Sequence, residues 1–72
     1  MKRKYKHVHF DAGPGPAKER PIYDCVDGRD GTVLGIVFYL YGYKEYVFEP
    51  RPGSVFNTLY LANVIDFMKQ LK

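Results

Sequence analysis

Between Tyr46 and Leu71 the chain passes from an apolar strand through a proline-broken turn into an amphipathic helix, with almost no slack. Pro50 and Pro52 end the strand, because proline lacks the amide that a β-ladder needs. Asn57 suits a helix N-cap, its side-chain oxygen accepting a free first-turn amide. Phe56 and Leu61 stand at the positions of a hydrophobic staple. Leu61, Val64, Ile65, Met68 and Leu71 follow at helical spacing and predict one apolar stripe on a helix over residues 57–71.

Such a stripe needs a surface to cover, and the preceding residues supply a hairpin of Thr32–Tyr41 and Lys44–Glu49. A two-residue loop would put Glu45 and Glu49 on the face of Leu34, Ile36, Phe38 and Leu40. A three-residue loop, Tyr41-Gly42-Tyr43, pairs Leu40 with Lys44, Phe38 with Tyr46 and Ile36 with Phe48. One face then becomes almost wholly apolar and both glutamates move to the other. A slip of one residue flips every side chain, so burial favours the three-residue loop. This register leaves Val37, Tyr39 and Val47 on the outer face, opposite the helix.

Upstream, residues 5–10 alternate polar and apolar in the manner of a short edge strand. Residues 11–21, with Gly13-Pro-Gly-Pro16, read as an exposed loop. Residues 22–27 read as another strand, and Gly28-Arg-Asp-Gly31 as a turn. The expected fold is α+β: an antiparallel sheet of three or four strands over residues 22–49, packed on one face by a single C-terminal helix. Residues 1–72 are expected to form one small domain. At that size only about 60–65% of the unfolded surface is buried, so a partner chain or very good packing is needed. A lone cysteine, Cys25, cannot form an internal disulfide.

The net charge of +3 conceals an uneven distribution. Residues 1–10 hold four basic side chains, Lys2, Arg3, Lys4 and Lys6, and no acid, whereas residues 11–50 hold four basic against seven acidic. The ends are basic and the sheet is acidic. No long apolar run follows the basic start, so neither a signal peptide nor a membrane span is expected, and a soluble cytoplasmic protein is.

Leu34-Gly35, Tyr46-Val47-Phe48-Glu49-Pro50, Val55-Phe56, Leu61 and Phe67 together resemble a segment of short bacterial and phage-type proteins of uncharacterised function. The resemblance covers roughly half the chain, with Val64 where an Ile is expected, and implies a shared fold and a bacterial or phage accessory role without an activity. The order strand–strand–strand–helix is also similar to the small arm-binding domains of some integrases, a likeness of fold that carries no function.

Chemistry-bearing residues are few. His7 and His9 lie two apart, on one face of a strand, but lack the ligand-pair spacing of a zinc site. Ser54 sits in a turn where local hydrogen bonding explains it. Cys25 lies beside Asp24 and near Asp27, neighbours that raise a thiol pKa, and is expected in the core. Gly13-Pro-Gly-Pro16 is no phosphate loop, since its prolines remove the amides that would cradle an anion. No catalytic residue, metal or cofactor is expected, nor a small-molecule substrate.

Seven Tyr and five Phe are the unusual feature of the composition. Two readings of function follow. In the first, Val37, Tyr39, Tyr41, Tyr43 and Val47 form an aromatic sheet face that binds another protein or a second copy as a homodimer. In the second, nucleic acid is bound by the Lys2, Arg3, Lys4 and Lys6 arm together with stacking tyrosines. The acidic sheet repels phosphate, which sets the protein-binding reading ahead.

Overall fold

The computed structural model describes residues 1–17 and 20–71, with the backbone alone at 14–17. Four strands form one antiparallel sheet in chain order: β1 (Val8–Ala17), β2 (Arg20–Asp27), β3 (Val33–Leu40) and β4 (Glu45–Pro50). One helix, α1 (Thr58–Met68), packs across one face of that sheet. The expected α+β class is therefore correct. Among the described residues no helix is long and apolar enough to cross a membrane.

The stretch read as an exposed loop, residues 11–21, is mostly strand. β1 runs through it to Ala17 and β2 begins at Arg20, while Lys18 and Glu19 lie outside the described residues. Pro14 and Pro16 fall where the β1–β2 register shifts, between Gly13 and Ala17, on an edge strand. An edge and an irregularity are the places where a strand tolerates residues without an amide. Residues 1–6 in turn line that edge: the Phe10 amide donates to the Arg3 carbonyl at 2.9 Å, and Lys4 bridges His9.

The β3–β4 register differs from the expected one. Leu40 pairs with Glu45, Tyr39 with Tyr46, Phe38 with Val47, Val37 with Phe48 and Ile36 with Glu49. The loop has four residues, Tyr41–Lys44, closed by the Lys44 amide on the Leu40 carbonyl at 2.8 Å with Lys44 in the left-handed region (φ 57°). The face beneath the helix therefore carries Val37, Tyr46 and Phe48, together with Val8, Phe10, Tyr23 and Cys25 from β1 and β2.

Gly35 supplies the reason. It lies beneath the Phe48 ring, and a Cβ there would stand 2.9 Å from that ring and 2.6 Å from the Glu49 carbonyl oxygen. A glycine inside a strand marks a close approach, and only this register places an aromatic ring over it. Beside it, a bulge between Cys25 and Val26 leaves Leu34 without a partner on β2 and admits it to the core.

The helix is capped as expected, the Tyr60 amide donating to Asn57 Oδ1 at 2.9 Å, but it is rotated from the expected stripe. Val64 and Phe67 are buried, Tyr60, Met68 and Leu71 pack beside them, and Leu61 and Ile65 remain 43% and 54% exposed. Ring stacking decides the rotation. Phe67 lies flat on Phe10 (centroids 4.0 Å, planes 4° apart) and meets Tyr23 edge-on at 5.0 Å. Phe56, expected to staple onto Leu61, instead packs edge-on against Phe48 at 5.3 Å.

Candidate interaction surface

With the helix on one side, the register assigns the other side of the sheet to Ile22, Asp24, Val26, Ile36, Phe38, Leu40, Glu45, Val47 and Glu49, with His9 and Asp11 from β1. An antiparallel sheet with one solvated face ordinarily alternates apolar inside and polar outside. β3 does not, because Val37 faces the helix and Ile36, Phe38 and Leu40 face away from it. Phe38 pairs with Val47, and Ile22 belongs to the same cross-strand row. Ile22, Ile36, Phe38, Leu40 and Val47 are only half-buried, and Val26 is buried.

A second row crosses the same face. Asp11 lies opposite Asp24, Asp24 opposite Ile36, and Ile36 opposite Glu49. Like charges directly opposite each other on neighbouring strands are destabilising. Among the described residues no Lys or Arg forms an ion pair with any of the three, and Asp11 meets only His9, at 3.4 Å. The one described strand-borne cation, Arg20, lays its guanidinium over the Tyr39 ring at 3.7 Å, and Tyr39 belongs to the helix side. The open face is thus an apolar row beside an acidic one.

The residues expected to form an interaction face are divided by this arrangement. Val37 is 0% exposed and belongs to the core, so it presents nothing to a partner. Tyr39 shares its side and is enclosed by Tyr41, Tyr46 and Arg20. Val47 alone of the three strand residues lies on the open face. Tyr41 and Tyr43 are exposed at the hairpin tip. Sequence reasoning missed Ile22, Ile36, Phe38 and Leu40 as outward residues because it buried them. The signal that could have found them is Gly35, whose need for a close neighbour fixes the parity of β3.

Lys2, Arg3, Lys4 and Lys6 are exposed, but the backbone of Lys2 and Arg3 is tied down. The Lys2 amide donates to Gln70 Oε1 at 2.8 Å, Gln70 Nε2 returns a bond to the Lys2 carbonyl at 2.7 Å, and Lys2 Nζ lies 4.5 Å from the Tyr5 ring centre. The arm borders β1, whereas the tip tyrosines follow β3 and precede β4, the opposite edge. The sequence pairs these groups in one reading; the fold does not bring them together.

A separate polar cluster sits at the start of the helix. Asp27 is 4% exposed and accepts from the Arg29 amide (2.9 Å), Arg29 Nη2 (3.1 Å) and the Tyr60 hydroxyl (3.2 Å). These bonds, the Arg29 side chain first, hold its carboxyl below the usual range. Asp27 floors a cleft of about 810 Å³ bordered by Arg29, Arg51, Ser54, Asn57 and Tyr60. Its oxygens are fully engaged, so it pins the β2–β3 turn to α1 rather than offering a base to a ligand.

Burial, reinforced by the Asp27 charge, pushes the Cys25 thiol up to about 12, which makes it a packing residue and a poor nucleophile. His7 stacks on Tyr60 (centroids 5.0 Å) beside the helix, while His9 pairs with Val26 on the open face. The two histidines expected on one face therefore lie on opposite faces. Among the described residues no three His, Cys, Asp or Glu side chains gather as a metal site would require. No family model matches the chain, nor does any curated protein or solved structure.

Proposed function

We propose that the chain is a small, non-enzymatic accessory protein that works by docking another protein on the open face of its sheet. The observation that carries this reading is the half-buried apolar row of Ile22, Phe38 and Val47, flanked by Ile36 and Leu40, on the face opposite the helix. Water solvates such a surface poorly, and contiguous exposed apolar patches mark interaction sites. The thin stability margin of a 72-residue chain adds a reason to cover it. The fully engaged Asp27 and the buried Cys25 support a structural rather than a chemical role for the polar groups. A bacterial or phage setting and a cytoplasmic location belong to this reading as expectations from the sequence.

Nucleic acid ranks second. Its support is the exposed Lys2, Arg3, Lys4 and Lys6, and against it stand the acidic open face and the distance of the arm from the tip tyrosines. The test compares the intact chain with Phe38→Ser in capture from host extract, with sedimentation of both at low micromolar concentration. A protein retained by the wild type and lost by the variant, or self-association that the variant abolishes, is the expected result. Identical retention and identical mass for the two overturns the reading.

A further inference from the structure

The charge on the open face selects among occupants. Every described acidic strand residue except Asp27 lies there: Asp11, Asp24, Glu45 and Glu49. Among the described residues the basic side chains on that face are His9 and, opposite it at the β1 edge, Lys4, while the Arg20 guanidinium lies over the Tyr39 ring. Two copies pressed face to face would gather eight carboxylates against two Lys4 and two His9 side chains, because a two-fold interface presents the same patch from both sides. Nucleic acid phosphate would meet the same repulsion. A segment with one apolar stripe and flanking Lys or Arg satisfies both rows at once. Its stripe lies along Ile22, Phe38 and Val47, and its cations reach the row of Asp11, Asp24 and Glu49.

Resting on the docking reading above, we infer that the occupant of the open face is a cationic amphipathic helix of another protein. The acidic row explains why a cation is required. Asp11 and Asp24 oppose each other across β1 and β2, an arrangement that costs stability in the free chain. A bound cation removes that repulsion, and apolar contact supplies the rest of the affinity. Charge complementarity of this kind sets specificity and association rate, and is screened by salt.

The probe is a synthetic amphipathic helix of Leu and Lys, compared with a Leu and Glu counterpart of equal length, each labelled for fluorescence anisotropy. The Lys peptide should bind, with affinity falling at least about threefold as salt rises from about 50 to about 300 mM. The Glu peptide should bind at least about tenfold more weakly. Phe38→Ser should abolish binding of the Lys peptide, whereas Leu61→Lys with Ile65→Lys on the exposed side of the helix should leave it unchanged. Asp24→Lys with Glu49→Lys leaves the apolar row intact and should reverse the preference toward the Glu peptide, which keeps the test decisive if Phe38→Ser folds poorly.

Equal binding of both peptides, or loss on changing Leu61 and Ile65, overturns the inference. If neither peptide binds but the chain self-associates and Phe38→Ser makes it monomeric, the docking face stands and the cationic occupant falls. If Phe38→Ser alters neither binding nor mass, both fall together.

Discussion

Both faces of this sheet carry apolar side chains, but only one of them is packed against the helix. Under the helix, rings and gaps fit one another: Phe67 lies on Phe10, Phe56 meets Phe48 edge-on, and Gly35 leaves the space that Phe48 fills. On the other face Ile36, Phe38 and Leu40 stand in a line on β3 with carboxylates nearby. Packing density needs complementary shape as well as apolar character. The helix therefore covers the face whose rings fit its own, and the face opposite carries carboxylates among its apolar side chains.

The sharpest way to break this comparison is to truncate one ring on each face. Phe67→Ala should cost about 3–5 kcal/mol in urea denaturation, enough to unfold much of a domain this small. Phe38→Ala, half-buried on the open side, should cost less than about 1.5 kcal/mol. Equal costs would mean that the open face is packed in the isolated chain.

Next in size is Gly35→Ala. Its Cβ would press on the Glu49 carbonyl at 2.6 Å and the Phe48 ring at 2.9 Å, and backbone cannot yield as a side-chain tip can. Overpacking of this kind costs about 1–3 kcal/mol, read from the denaturation midpoint. A neutral outcome would argue for the alternative register, in which Gly35 faces away from the helix.

Asp27→Asn should cost less than either packing change and reports on the covered side through pH. A carboxyl held below its unfolded value stabilises the fold above the unfolded pKa of about 3.9. That contribution is lost as pH falls through the lowered folded value. The gap between wild type and variant should be widest near neutrality and close below about pH 4 in thermal melts. A gap independent of pH would show that shape, not charge, joins the β2–β3 turn to α1 at Asp27.

The smallest effect has the opposite sign. Asp24→Asn removes one of two opposed carboxylates on the open face and should raise stability by a few tenths of a kcal/mol. The same change should weaken the Lys peptide by a measurable factor. Gain of stability with loss of binding separates a functional charge from a structural one. If stability falls instead, Asp24 has a partner that holds the free chain together.

Much of the architecture was legible in the residues. The Asn57 cap, the turn before Thr32 and the proline-marked end of β4, whose last residue is Pro50, are local signals, each acting within a few residues, and each appears in place. Edge strand β1 was half legible, because Gly13-Pro-Gly-Pro16 carries the composition of a loop while occupying the one kind of strand that accepts prolines. The candidate surface was less legible still: Val47 was placed on it, and Ile36, Phe38 and Leu40 were turned inward.

The amino-acid sequence by itself determined the hairpin, the helix and where the helix begins, since caps and turn residues act on their own backbone, but not that β1 runs on to Ala17. Tertiary structure alone decided which side of β3 faces the helix and how α1 is rotated. Both sides of β3 are apolar, so the two-residue repeat leaves the choice nearly degenerate. Contacts between distant residues resolve it: Phe48 over Gly35, Phe67 on Phe10, and the Tyr60 hydroxyl on Asp27. Those contacts depend on the fit of shapes brought together only by folding, which no local pattern records.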